Sequence, residues 1–97
     1  MDEPADRIHS MVESIVKELV DDRDGLTVAV LASAEGRTLI ITVRPAGNDI
    51  GKVIGRGGRT AQAIRTIIEA IAARLQMKIQ LEIDDKNSER KQQQSHW

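Results

Sequence analysis

The chain has 97 residues, of which 40% are apolar, and it contains no Cys, no Phe and no Tyr. That length fits one small domain rather than two, the missing Cys excludes disulfides and thiolate metal sites, and no run of about 18 apolar residues is present, so no membrane span is expected. The formal net charge of −1 excludes a strongly basic chain, so any site for a polyanion has to come from how charge is distributed.

The N-terminal MDEPADR is acidic and lacks an apolar core segment, so no signal peptide is expected and the expected location is cytoplasmic. From Ala5 to Val20 the apolar residues Ile8, Met11, Val12, Ile15, Val16, Leu19 and Val20 recur at spacings of three and four. This is one stripe on an amphipathic helix, with Arg7, Glu13, Lys17 and Glu18 opposite. DDRDG ends it, and Gly25 suits a position of positive φ. LTVAVLA and TLIITVR flank the short polar SAEGR, which is a hairpin signal. In the second run Leu39, Ile41 and Val43 alternate with Ile40, Thr42 and Arg44. PAGND breaks the strand, and Asn48 or Asp49 can cap a helix starting near Ile50.

Beyond the glycines, Ala61, Ile64, Ile68, Ile71 and Leu75 predict a helix from about Arg59 to Arg74, flanked by Ala63, Ile67 and Ala70. MKIQLEI alternates strictly, turning Met77, Ile79, Leu81 and Ile83 inward as a half-buried strand. Residues 84–97 are polar and without periodicity, which predicts a flexible tail after a single domain at 1–83. Its Trp97 is the only aromatic residue. The order αββααβ makes an α+β fold: a three-stranded mixed sheet, strands one and two antiparallel and two and three parallel, covered on one face by three helices. The crossover between the parallel strands should be right-handed.

The stretch GKVIGRGGRT, residues 51–60, holds four glycines and the cations Lys52, Arg56 and Arg59. Residues 1–26 carry 8 acids and 3 bases, residues 27–83 carry 4 acids and 8 bases, and residues 84–97 carry 3 of each. The positive charge therefore surrounds the glycines, although a solvated surface alone accounts for a basic segment of this size. A P-loop would need a Gly at the right spacing followed by Lys and Ser or Thr, which is missing. A dinucleotide fingerprint would need a preceding strand and a third Gly where Thr60 stands. What remains is G-x-x-G at Gly55, Arg56, Gly57 and Gly58 between two helices. By itself that pattern is common; preceded by IGKVI, and followed by a helix carrying Ile64, it reads I-G-x-x-I-G-x-x-G.

In that context the chain resembles the KH domain in its prokaryotic, type II order, over about Ala5 to Ile83. It is similar to the small bacterial single-KH proteins of the KhpA type, most clearly in VRPAGNDIGKVIGRGGRTAQAIRTII. The resemblance implies single-stranded RNA binding: the loop Gly55–Gly58 clamps about four nucleotides by their phosphates, with Arg56 at its tip and Lys52 and Arg59 beside it. Val53, Ile54 and Ile64 are the expected lining of an aliphatic groove for the bases, though each also suits a core, Ile64 above all. It further implies an RNA regulator or RNA chaperone linked to growth and cell shape. The partner would be a second copy, or a second KH-containing protein of the KhpB type. No cofactor, metal or membrane is expected.

Blander readings stand beside these. Gly51 serves equally as a packing glycine; Thr60 reads as a first-turn residue; Arg65 and Arg74 read as solvated helix positions; Arg44 extends the basic strip or decorates a strand end. The alternative function is a protein-interaction module whose G-x-x-G loop is structural. An enzyme is not expected. His9 and His96 have no nucleophile or ligand spacing, Glu35, Asp49 and Glu69 do not pair, and Ser10, Ser14 and Ser33 lack an activating context.

Overall fold

A computed structural model describes residues 3–84. Its elements run α1 (Pro4–Lys17), β1 (Thr27–Ala32), β2 (Thr38–Arg44), α2 (Ile50–Ile54), α3 (Arg59–Leu75) and β3 (Lys78–Ile83), the αββααβ order of a type II KH fold. Of the expected tail at 84–97, residues 85–97, with Trp97, lie outside the described residues.

The sheet has the order β1-β2-β3, with β1 antiparallel and β3 parallel to the central β2. Along β2 every second residue is buried: Leu39 at 2%, Ile41 at 0% and Val43 at 1% exposure. Register puts Val28 beside Val43, Val30 beside Ile41, and Ile41 beside Leu81, so all three strands turn the same face inward. That face joins Ile8, Val12 and Val16 of α1, Val53 of α2, and Ile64 and Ile68 of α3 in one core. The helices therefore cover one side of the sheet, as the alternation requires. Ile41 sits at the centre, and truncating it to Ala would cost about 2–5 kcal/mol.

α1 begins with Pro4 in its first turn and Asp6 near its positive end, and closes with Lys17 near its negative end. The helix stops three residues before the end of its apolar stripe. Leu19 and Val20 both return their N–H groups to the Val16 carbonyl, and this turn still buries Val20. His9 ties α1 to the sheet, its Nε2–H donating to the Val28 carbonyl at 2.7 Å. Gly25 does not take a positive φ. It is small for want of space: a Cβ there would lie 2.6 Å from Asp22 Oδ2. The Gly25 N–H instead bonds Asp22 Oδ1 at 2.9 Å, a side-chain-made turn.

Asp84 extends the β3 pairing by one residue, donating its N–H to the Val43 carbonyl at 2.8 Å. Its carboxylate also meets the Arg44 guanidinium at 2.9 Å. Arg44 thus ties the end of β2 to the end of β3. No helix among the described residues is long and apolar enough to cross a membrane.

Candidate nucleic-acid interface

Two short turns bring the chain from β2 to α3. Gly47–Asp49 makes one 3-10 turn before α2, and Arg56–Gly58 makes another between α2 and α3. The second is the G-x-x-G loop. Gly55 has φ 80° and ψ 168°, a region open in practice only to glycine. A Cβ there would also lie 2.2 Å from Thr60 Oγ1. Gly57 and Gly58 turn left-handed at φ 63° and 78°, but their absent Cβ atoms would meet nothing within 4 Å. The tight approach is at Gly55 and not at Gly58: Thr60 packs under the turn at its start. Above Gly51 there is likewise open space and an exposed surface, so it packs against no neighbour.

Inside the loop, the Gly58 N–H bonds the Gly55 carbonyl at 3.0 Å, and the Arg59 N–H bonds the Arg56 carbonyl. The N–H groups of Arg56 and Gly57, at the tip, have no acceptor among the described residues. The first N–H groups of α3, which starts at Arg59, add the positive end of a 17-residue helix. Arg56 and Arg59 are exposed, and no acid among the described residues lies within 4.0 Å of either guanidinium.

Lys52 is held differently. Its Nζ lies 3.4 Å from Asp21 Oδ2 and 3.4 Å from Asp49 Oδ1. Asp49 does not cap α2, although its position suggests it; its side chain turns away instead. At 3% exposure it accepts the Asp22 N–H through Oδ2 at 2.9 Å. That hydrogen bond, with Lys52 beside it, holds the Asp49 carboxyl below its ordinary value. The Asp21 carboxylate, and then Asp49, hold the Lys52 amine above its own. Sequence reasoning missed this role for Asp49, because the partner N–H comes from a loop 27 residues away.

Of the three aliphatic residues expected to line a groove, Val53 is 0% and Ile64 5% exposed, both part of the core. Ile54 is 38% exposed and presents its side chain beside the loop. A concavity of about 240 Å³ opens further along, between α3 and the free edge of β3, lined by Arg65, Ile68, Glu69, Ile79, Gln80 and Leu81. Arg65 is half-buried there rather than solvated, and its Nη2 donates to the Leu81 carbonyl at 3.4 Å. Its place at helical spacing from Ala61 and Ile68 hinted at a boundary position, but not at the groove.

The arrangement offers exposed guanidinium groups, unpaired N–H groups and a helix N-terminus on one side, and an apolar-floored groove on the other. Among the described residues no group of three or more His, Cys, Asp or Glu could hold a metal ion. The model of the KhpA/KhpB KH domain matches residues 9–83. Three proteins, each named RNA-binding protein KhpA, are similar over most of their length. The one from Mycobacterium tuberculosis (strain ATCC 25618 / H37Rv) is 48% identical over 63 residues, covering 65% of this chain and 76% of that protein. The one from Borreliella burgdorferi is 43% identical over 75 residues, 77% of this chain and 89% of that protein. The one from Streptomyces coelicolor is 45% identical over 67 residues, 69% and 82% respectively. No solved structure matches the chain. With the motif, the strand order and these similarities in agreement, the chain belongs to the KhpA/KhpB KH-domain family.

Proposed function

We propose that this chain binds single-stranded RNA through the loop Gly55–Gly58. The observation that carries the reading is the loop tip: two N–H groups that find no acceptor among the described residues, flanked by Arg56 and Arg59, which no described acid approaches within 4.0 Å. A phosphate oxygen supplies the missing acceptor, and the following helix N-terminus favours its charge. The name RNA-binding protein, borne by three similar chains, supports the same reading. About four nucleotides would be held by their backbone. Their bases would pass over Ile54, with Val53 and Ile64 supporting it from the core, toward the α3–β3 groove. Among the described residues no Phe, Tyr or Trp offers a stacking platform, so affinity there rests on phosphate contacts and aliphatic packing.

One such domain binds weakly, so pairing with a second copy, or with a second KH-containing chain of the KhpB type, would raise affinity through bivalency. In that form the protein acts as a cytoplasmic post-transcriptional regulator or RNA chaperone. The test is Arg56→Asp with Gly57→Asp. Two carboxylates then stand where phosphate must approach. Asp tolerates the left-handed backbone of position 57, and a Cβ there meets nothing. RNA binding measured by fluorescence anisotropy should fall by at least tenfold while thermal unfolding stays within a few degrees. Unchanged affinity in a folded double variant would assign the loop a structural role instead.

A further inference from the structure

Resting on the RNA reading above, we infer that the α3–β3 groove reads one base of the bound strand, and that the base is guanine, held by Arg65 and Glu69. β3 is an edge strand. Lys78 and Asp84 donate their N–H groups to Arg37 and Val43 on the β2 side. By the parallel register, the backbone groups of Ile79, Leu81 and Ile83 therefore face outward, into the groove. Among the described residues only the Leu81 carbonyl of these meets a partner, the Arg65 guanidinium at 3.4 Å.

Arg65 stands where two parts of the groove meet. It lines the 240 Å³ concavity with Ile68, Glu69 and Leu81, and also a second space of about 380 Å³ with Glu82 and Ile83. Ile68, Ile79 and Leu81 make an apolar floor that suits the flat face of a base. The rim is polar and paired in sign. A guanidinium carries five donors in a planar fork, and one long bond to Leu81 leaves most of them unused. Glu69 lies one helical turn after Arg65 on the same side of α3, with two acceptor oxygens. No ion pair within 4.0 Å joins the two among the described residues.

Guanine is the base that matches both. Its O6 and N7 accept from an arginine fork, and its adjacent N1–H and N2–H donate to a carboxylate. Uracil sets one N–H between two carbonyl oxygens, and adenine and cytosine each set a ring-nitrogen lone pair beside their amino group, so a carboxylate meets repulsion at all three. From Arg59 at the loop to Arg65 the helix advances about 9 Å, within the span of the four or so nucleotides that the loop would hold.

Fluorescence anisotropy on the full chain, at one low salt concentration, tests this with a short oligouridylate and its variants carrying a single central G, A or C. The wild-type chain should bind the G-containing strand about tenfold more tightly than the other three, the lower end of what one bidentate base contact supplies. Arg65→Lys keeps the charge and loses the fork; Glu69→Gln keeps the size and loses the double acceptor. Each should bring the ratio of G to U affinities close to one. A purely structural role for Arg65 would lower all four affinities together and leave the ratio unmoved, which would overturn the assignment. Equal binding of all four strands by the wild-type chain would overturn it too while leaving RNA binding standing. Absence of binding to every strand would remove both readings.

Discussion

The buried Asp49 carboxylate accepts the backbone N–H of Asp22 at 2.9 Å, joining the loop after α1 to the start of α2. The same carboxylate faces Lys52 at 3.4 Å. One side chain thus fixes the entry to the loop-bearing helix and orients a cation beside it. A carboxylate held below its ordinary value of 3.8 stabilises the fold above that pH, and the contribution disappears as pH falls through the lowered folded value. Lys52 works in the opposite direction: its contribution is complete below 10.5 and disappears as pH rises through the raised folded value.

Replacement of Asp49 by Ala should therefore lower Tm near neutral pH by roughly 5 °C or more, since a partly buried N–H loses its acceptor. Asp49→Asn should cost less, because an amide oxygen still accepts from Asp22. For both variants the gap to the wild-type Tm should be widest above pH 4 and close as pH falls below it. Thermal melts across that range decide the matter. A gap that stays constant on the acid side would mean that the charge of Asp49 contributes nothing.

If Lys52 takes part in the proposed RNA binding, Asp21 competes with phosphate for it. It is 82% exposed, 3.4 Å from the amine, and free to be replaced without disturbing the core. For single strands, log affinity falls with log salt by about 0.7 per phosphate neutralised, so two free cations at the loop give a slope near −1.4 and three give about −2. Asp21→Asn should move the slope from the first value toward the second and raise affinity at low salt about two- to threefold. A slope unaltered by Asp21→Asn would show that Lys52 takes no part in binding.

Gly55 is the loop position that admits no side chain. Its φ of 80° with ψ of 168° costs any other residue about 1–3 kcal/mol, and the contact with Thr60 adds to that. Gly55→Ala should lower stability by at least that amount and weaken RNA binding tenfold or more, because relief of the contact re-aims the Arg56 and Gly57 N–H groups. Gly57→Ala, with open space around it, should cost about 1 kcal/mol and leave most of the affinity. Equal effects of the two substitutions would contradict the geometry.

Periodicity alone made most of this architecture legible. Leu39, Ile41 and Val43 alternate because one face of β2 is buried, and Ile64 and Ile68 repeat because one face of α3 is. The strand order followed from the connections, and the loop followed from Gly55 and its neighbours. The end of α1 was not legible, since Leu19 and Val20 stay in the apolar pattern while the backbone leaves the helix. Nor were Asp49 and Arg65. Asp49 before a helix looks like a cap, and only the folded chain brings Asp22 to it; Arg65 looks solvated until β3 is laid beside α3. Local pattern encodes which face is inward, whereas the polar contacts of the site depend on segments brought together from far apart.

Among the described residues Gln76 carries the only positive φ outside glycine, closing α3 at φ 58° and ψ 45°. Its own N–H returns to Ala73 and the Met77 N–H to Ala72, so the turn satisfies the helix carbonyls at the expense of a crowded Cβ. The turn has to be tight because β3 begins two residues later, where Lys78 donates to Arg37 at 2.8 Å and sets the register with β2. Glycine at 76 removes the steric cost of about 1 kcal/mol and returns part of it as freedom in the unfolded chain. Gln76→Gly should thus stabilise the protein by about 0.5–1 kcal/mol, raising Tm by roughly 2–8 °C. Gln76→Ala keeps the Cβ and should stay within about 0.5 kcal/mol of the parent. RNA affinity should not move in either variant, because Gln76 follows the far end of a 17-residue helix, about 25 Å from the loop. Thermal melts and anisotropy on the same samples separate the two effects. A Gly variant no more stable than the Ala variant would mean that the left-handed turn costs Gln76 nothing, and that β3 is registered by its ladder with β2 alone.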